Sequence, residues 1–213
     1  MNYKEIISSI TNKDLQPVYF LMGEEPYYID KLANAFAKNV LSAEEQEFNQ
    51  VILYGKEIET TQVIGESKLF PFGSHKRVVI VREAQHLKDI DVLDTYLENV
   101  QPSTLLVICY KGKSVDKRKK FGKSLASKCV VFESKKLYDN KIPAWINTYI
   151  TESGFKIDNS ATAVLAEYIG SDLSKITNEL EKLMLVVQKD EQITTTLIEY
   201  HIGISKDYNV FEL

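Results

Sequence analysis

The chain has 213 residues, of which 44% are hydrophobic and 26% are charged, as in an ordinary globular protein with one sizeable core and at most a small satellite domain. The formal net charge of −4 argues against a protein that grips nucleic acid over its whole surface, although a local basic patch is compatible with that average. No apolar stretch approaches the roughly 18 residues of a membrane span, and the first residues lack the apolar run of a signal peptide, so we expect a cytoplasmic protein without a membrane partner.

Five apolar runs bounded by turn residues occur in the first two thirds of the chain. They are rich in Val, Ile, Tyr and Phe and nearly continuous, which is typical of strands buried on both faces of a parallel sheet. In chain order they are QPVYFLMG (16–23), NQVILYG (49–55), KRVVIVRE (76–83), STLLVICYKG (103–112) and SKCVVFES (127–134).

Helical patterns separate these runs. Ile29, Leu32, Phe36 and Val40 fall on one face of a helix; residues 58–67 and 93–100 have a similar pattern, and another follows residue 115. Strands that alternate with helices predict an α/β fold: a five-stranded parallel sheet with helices on both faces and right-handed crossovers.

The strand pattern stops near residue 140, and four helical patterns follow it. Gly154, Gly170 and Gly203 are candidate helix ends, while Asp158 or Asn159, and Ser171 or Asp172, are candidate N-caps. We therefore expect an α/β domain over 1–140 and a small all-α domain over 141–205.

Nothing in the sequence indicates a metal site or a nucleophilic enzyme. The cysteines at 109 and 129 lie in apolar runs, which favours buried reduced thiols, and neither has a partner at metal-ligand spacing. The three histidines are scattered and no G-x-S-x-G elbow occurs. We expect no metal, cofactor or small-molecule substrate.

Two nucleotide-handling motifs are present in outline but altered. After the first strand, a nucleotide-binding protein would carry a Gly-rich loop ending in Gly-Lys-Ser/Thr; here the turn is Gly23-Glu24-Glu25-Pro26, with two acids and a missing N–H. The third strand ends in Arg82-Glu83, whereas P-loop ATPases place an Asp there to hold Mg²⁺. The layout predicts a P-loop NTPase-like scaffold without ATP hydrolysis.

The order and spacing of several segments resemble the delta subunit family of the bacterial DNA polymerase III clamp loader. The resemblance covers nearly the whole chain and is carried by GEEPYYIDKL, FNQVILYG, SKLFPFGSHKRVVIVREAQ, YKGKSVDKRKKFGKSL, the Trp-containing helix after residue 140 and YIGSDLSKITNELEKL. It implies an AAA+-like first domain with a degenerate phosphate loop, a small helical domain, and a C-terminal collar domain of which residues 206–213 would be a truncated start.

The resemblance also implies a role in DNA replication. Such a subunit binds the sliding clamp (the beta subunit) through an apolar plug before the third strand and opens the ring for loading onto primed DNA. It is not catalytic itself, although it belongs to the DNA-directed DNA polymerase III holoenzyme, a nucleotidyltransferase. Its other partners would be the gamma/tau and delta prime subunits, reached through the collar, and DNA indirectly.

The matching plug segment here is Leu69-Phe70-Pro71-Phe72. Alignment from the strand selects Leu69, Pro71 and Phe72, whereas alignment on the adjacent Leu-Phe pair selects Leu69 and Phe70. The residues support a plug independently, because a short apolar cluster with a proline after a helix is typical of a displayed loop tip. The alternative is that these side chains fold back onto their own core.

A basic segment follows the fourth strand, and DNA contact, contact with another subunit and a solvated helix are all open interpretations. Its candidate contact residues are Lys113, Lys117, Arg118, Lys119, Lys120 and Lys123. Two other functions compete with the clamp-binding hypothesis: a divergent nucleotide-binding ATPase and a DNA-binding module.

Overall fold

The computed structural model describes residues 1–188 and 191–203, which form two compact units, Met1–Lys136 and the residues from Leu137 onward. The first unit is an α/β structure. Its strands are β1 (Val18–Gly23), β2 (Gln50–Tyr54), β3 (Arg77–Arg82), β4 (Thr104–Lys111) and β5 (Val130–Ser134). All pair in parallel in the order β2-β3-β4-β1-β5, so the prediction of a five-stranded parallel sheet is confirmed.

The helices of the first unit include two that the sequence analysis did not predict, α1 and α3. The full set is α1 (Tyr3–Thr11), α2 (Pro26–Asn39), α3 (Ala43–Asn49), α4 (Thr60–Lys68), α5 (Asp94–Leu97) and α6 (Lys120–Lys128). The pattern over 93–100 gives only the short α5, preceded by a 3₁₀ turn at Ile90–Leu93. Short polar helices such as α3 bury too few side chains to produce a clear apolar period.

Successive residues of the strands face opposite sides of the sheet, and each side is buried by its own helices. Tyr19 and Leu21 pack with the apolar faces of α1 and α2. Phe20 and Met22 pack on the other side with residues of α4, α5 and α6. Since both faces are covered, the strands have to be apolar throughout, which explains their continuous sequence pattern.

The second unit contains α7 (Ile142–Glu152), α8 (Asn159–Ile169), α9 (Leu173–Val186) and α10 (Thr195–Ile202). Asp158 and Asp172 are the N-caps of α8 and α9, and Gly170 and Gly203 are C-caps with positive φ. A minimal parallel pairing of β6 (Lys156–Ile157) with β7 (Gln192–Ile193) was not predicted. Residues 206–213, proposed as the start of a collar domain, lie outside the described residues.

Candidate functional site

The plug segment is the loop between α4 and β3, at the amino edge of the parallel sheet. Leu69 is the C-cap of α4, with extended backbone, and its N–H donates to the Glu66 carbonyl at 3.4 Å. The loop then runs through Gly73, whose φ is +62°, before β3 begins at Arg77. The chain therefore turns sharply at a place where a residue with a side chain would be strained.

The plug side chains point away from the core of their own unit. Leu69 is 49% exposed, Phe70 76% and Phe72 76%, whereas Pro71 is partly buried. The alternative that these side chains fold back onto their own core is therefore wrong for Leu69, Phe70 and Phe72. Three large apolar side chains on one short loop are an exposed patch of the kind that marks interaction sites.

A buried amide holds the main chain of the plug. Asn49, the last residue of α3, is only 2% exposed; its Nδ2 donates to the Phe72 carbonyl at 2.9 Å, and its Oδ1 accepts the Phe72 N–H at 2.6 Å. Both polar groups of the side chain are thus used on one residue of the loop. This contact fixes Phe72 relative to α3, although the two residues are 23 apart in the sequence.

Polar contacts also brace both ends of the plug loop. At its start, the Tyr96 hydroxyl donates to the Ser67 carbonyl at 3.2 Å. At its end, the Ser74 hydroxyl donates to Glu45 Oε1 at 2.7 Å. The Glu45 carboxylate also accepts the Ser42 N–H, as half of the capping box that begins α3. These two hydrogen bonds hold the pKa of the Glu45 carboxyl below its ordinary value. These contacts hold the two ends of the loop and Phe72 in place, while the apolar side chains of the tip stay exposed.

The first turn lies at the opposite, carboxyl edge of the sheet, and one of its two acids has a structural role. Glu25 is 5% exposed and is the N-cap of α2, where its Oε1 accepts the Tyr27 N–H at 3.0 Å. A phosphate would occupy the N-terminus of this helix in a nucleotide-binding relative of the scaffold. Here a carboxylate from the chain itself accepts that N–H, and Pro26 provides the first helical residue.

Gly23 has a role that does not depend on phosphate. Its φ is +136°, and a Cβ at this position would lie 2.0 Å from the Ser134 carbonyl oxygen. The end of β1 therefore passes too close to the end of β5 for any side chain.

Arg82 stands where an ATPase would hold Mg²⁺, and it is part of an ionic cluster. Its Nη2 donates to Asn34 Oδ1 at 2.7 Å, and its Nη1 lies 3.9 Å from Asp30 Oδ1. Lys111 Nζ lies 2.6 Å from the same Asp30 oxygen. Two cations and one carboxylate make this edge unsuited to a metal ion, and no cluster of metal-ligating side chains occurs within the described residues.

The basic segment is mostly a loop rather than a helix, because α6 begins only at Lys120. The side chains of Lys113, Lys117, Arg118, Lys119, Lys120 and Lys123 are all exposed.

Several of these cations already have acidic or aromatic neighbours. Lys117 pairs with Glu133 at 2.6 Å, Arg118 makes a two-bond contact with Asp116, and Lys113 lies over the Tyr110 ring. Phe121 is buried against Phe20 and offers no base-stacking surface. Contact of this segment with DNA or another subunit stays a prediction.

Both cysteines are free. Cys109 is buried as expected, whereas Cys129 is partly exposed, and burial raises the pKa of each thiol to about 12. Among the residues that the structure describes, no helix is both long and apolar enough to pass through a bilayer.

Comparison with known proteins shows sequence similarity to one family and to individual relatives. The family described as DNA polymerase III, delta subunit, matches residues 19–135, which is more than half of the chain. The chain is 26% identical over 220 residues to DNA polymerase III subunit delta of Bacillus subtilis (strain 168), covering 98% of this chain and 63% of that protein. It is 25% identical over 218 residues to the probable DNA polymerase III subunit delta of Aquifex aeolicus (strain VF5), covering 95% and 59%. The chain thus spans less than two thirds of either relative.

Solved structures are similar in fold. The Bacillus subtilis DNA clamp loader delta protein matches with a TM-score of 0.72 and 23% identity, covering 93% of this chain and 61% of that one. The Thermotoga maritima RuvB Holliday junction branch migration motor matches with a TM-score of 0.55 and 15% identity, covering 94% and 67%. At these identities the matches concern the fold, which is AAA+-like.

Proposed function

The chain belongs to the DNA polymerase III delta subunit family, and from this premise we propose that it binds the sliding clamp through the plug loop and opens the ring for loading during DNA replication. In this proposal the unit that carries the plug, assigned to 1–140, is the clamp-binding domain and 141–205 is a small helical domain. The remaining loader subunits, gamma/tau and delta prime, are proposed partners through a collar domain. The protein would act in the cytoplasm.

One observation supports the proposal most directly: the apolar tip is exposed, but its main chain is held by buried polar contacts. An exposed Phe on a mobile loop would lose conformational freedom when a partner bound it. The Asn49 bonds to Phe72 and the bracing of Ser67 and Ser74 remove much of that cost before binding. A preorganised tip suits insertion into an apolar pocket.

The exposed fractions limit how much affinity the plug supplies. Full burial of a Leu or Phe side chain contributes about 1.5–3 kcal/mol, so exposures of 76% for each Phe and 49% for Leu69 leave about 3–6 kcal/mol to be gained in total. A micromolar complex needs about 8 kcal/mol. We therefore expect further contacts with the clamp outside residues 69–72.

The absence of ATP hydrolysis is a second part of the proposal. The Glu25 carboxylate at the N-terminus of α2 and the Arg82 guanidinium at the end of β3 would oppose a triphosphate and its Mg²⁺ by charge. Glu25 and Arg82 lie at the carboxyl edge of the sheet, whereas the plug lies at the amino edge. Loss of nucleotide binding at the first edge is therefore compatible with clamp binding at the second.

Binding to the sliding clamp of the same organism tests the plug. Leu69→Ala, Phe70→Ala and Phe72→Ala should each weaken binding, by roughly 6- to 50-fold for either Phe. The unfolding free energy should change by no more than about 0.5 kcal/mol for either Phe, which is largely exposed, and by about 1 kcal/mol for the half-buried Leu69. Tyr54→Ala is a matched control, since Tyr54 is 44% exposed at the carboxyl edge of the sheet. Undiminished affinity in all three plug variants would refute the assignment.

Calorimetry with ATP and Mg²⁺ tests the nucleotide part. We expect no binding and no turnover by the isolated chain, and tight binding with hydrolysis would overturn this part while leaving the plug to be judged by its own experiment.

A further inference from the structure

An aromatic side chain from a second segment lies beside the plug. Phe48, in the last turn of α3, is 63% exposed, and its ring centroid lies 6.0 Å from that of Phe72, with the ring planes at 54°. This spacing and tilt are within the favourable range for aromatic pairs. The two rings come from opposite ends of a 25-residue stretch that contains β2 and α4, so only the fold brings them together.

Asn49 connects the two rings through the main chain. It follows Phe48 directly, and its buried side-chain amide makes two hydrogen bonds with the N–H and carbonyl of Phe72. The carbonyl oxygen of an amide accepts and its NH₂ donates, so this pairing permits only one orientation of the side chain. Any shift of Phe72 away from Phe48 breaks bonds of a buried polar group, which costs free energy.

Arg77 supports the same arrangement from β3. Its Nη1 donates to the Phe48 carbonyl at 3.4 Å, and its Nε donates to the Glu66 carbonyl at 3.2 Å, while its guanidinium also pairs with the Glu66 carboxylate. One side chain therefore joins the end of α3, which carries Phe48, to the end of α4, from which the plug loop starts.

We propose that the clamp-binding surface is formed by two segments, with Phe48 as a direct contact beside Phe72 and Asn49 as the residue that positions Phe72. This inference rests on the proposed function and deepens it. The partner is the same clamp, and the structure assigns to it an apolar pocket or groove wide enough for a pair of tilted rings rather than for one extended segment. Phe48 also supplies part of the affinity that residues 69–72 lack.

The direct contact is tested by the affinity of Phe48→Ala for the organism's sliding clamp. Because Phe48 is exposed, the variant should fold as the native chain does, while binding should weaken roughly 5- to 30-fold, as expected for a loss of one or two kcal/mol. Tyr54→Ala again serves as the control, being exposed at the far end of β2. When Phe48→Ala is added to the Phe72→Ala variant, it should weaken binding to the clamp less than it does in the native chain, because the paired rings contribute jointly to the affinity.

The positioning role is tested by Asn49→Ala and Asn49→Asp, each made alone and together with Phe72→Ala. Asp is nearly isosteric with Asn and keeps the acceptor for the Phe72 N–H, but it puts an oxygen against the Phe72 carbonyl, so it breaks one bond of the pair without leaving a cavity. Circular dichroism of each variant shows whether it is folded before its binding is measured. Both changes should weaken binding by at least roughly fivefold alone and have little further effect in the Phe72→Ala background. A merely structural role would give the same loss in both backgrounds.

The outcomes separate this inference from the proposed function. If Phe70→Ala weakens binding but Phe48→Ala does not, the clamp uses the plug loop alone and the two-segment surface is wrong. If Phe48→Ala and all three plug variants, Leu69→Ala, Phe70→Ala and Phe72→Ala, keep the native affinity, the proposed function itself fails. If Asn49 variants lose the same affinity with and without the Phe72 ring, Asn49 is not a positioning residue for Phe72.

Discussion

Replacing Glu25 with alanine tests why the first turn of the sheet carries an acid where a nucleotide-binding protein has bare amides. The residue is 5% exposed, and its carboxylate accepts the Tyr27 N–H at 3.0 Å. Loss of a helix N-cap costs about 0.5–2 kcal/mol, and a buried N–H left without a partner costs about 1–3 kcal/mol. Both figures describe the same broken bond, so we expect the free energy of unfolding to fall by about 1–3 kcal/mol.

The matched variant is Glu25→Gln, which keeps an acceptor oxygen and removes the charge. A negative charge at a helix N-terminus contributes about 0.3–1 kcal/mol, so the glutamine variant should lose only this smaller amount. Urea unfolding, monitored by circular dichroism, gives both differences in unfolding free energy. If the dependence of this free energy on urea concentration is unchanged, the substitution has not altered the surface that unfolding exposes. Amide hydrogen exchange at Tyr27 should accelerate more in the alanine variant than in the glutamine variant.

Two results would contradict this reasoning. If the alanine variant unfolds at the same urea concentration as the native chain, Glu25 does not stabilise the turn and the acid has no structural explanation. If Mg²⁺ and ATP raise the unfolding midpoint of the native chain, a ligand binds the folded state despite the carboxylate.

Three further predictions concern the plug loop and the thiols. Gly73→Ala should lower the unfolding free energy by about 1–2 kcal/mol, because φ is +62° although there is space for a side chain. Gly73→Asn should lower it less in the same urea titration. Equal losses would exclude backbone strain as the cause. Cys109, whose thiol has its pKa raised to about 12 by burial, should not react with a disulfide reagent at pH 8 until the chain unfolds, and rapid labelling of the folded chain would contradict its burial. The stabilising contribution of the Glu45 carboxylate should be complete above its ordinary pKa of 4.5 and be lost as the pH falls through its lowered folded pKa. The difference in unfolding free energy between the native chain and Glu45→Gln should therefore shrink only in acid. A difference that is constant with pH would refute this role of the carboxylate.

The sheet could be predicted from the sequence because each strand is apolar on both faces. The runs at 16–23 and 103–112 became β1 and β4, paired in the middle of the sheet with helices on each side. Local patterns are sufficient there, since burial of a whole strand affects every residue in it. The exposure of the apolar side chains at 69–72 was predicted on a different ground, because a short apolar cluster with a proline follows a helix and lies outside any strand. The choice of this segment as the plug came from the family resemblance and stays a proposal.

The support of the plug could not be predicted, because its contacts join distant segments. Asn49 and Phe72 are 23 residues apart, and nothing near either residue indicates the pairing. Phe48 belongs to α3, which the periodicity did not reveal. A buried asparagine is informative only when its partner is known, so this part of the site depends on the three-dimensional fold.

The charges were partly predictable. Arg82 and Glu25 indicated altered nucleotide chemistry by residue type alone, but their roles as an ionic partner of Asp30 and as a helix cap depend on geometry. The exposed charge of the basic segment was harder to predict, because the sequence shows its cations but not which acids pair with them in the fold. Asp116 and Glu133 pair with Arg118 and Lys117, so the exposed positive charge is smaller than the composition indicates.

The close passage of β1 and β5 at Gly23 has a consequence for motif searches. Any chain that brings these two backbones together in this way needs a glycine there, whether or not it ever meets a nucleotide. A search that counts this glycine in favour of triphosphate binding would return false positives. The informative residues are those at positions 25 and 82, because the charges of their side chains decide whether the carboxyl edge of the sheet can bind a triphosphate and its Mg²⁺.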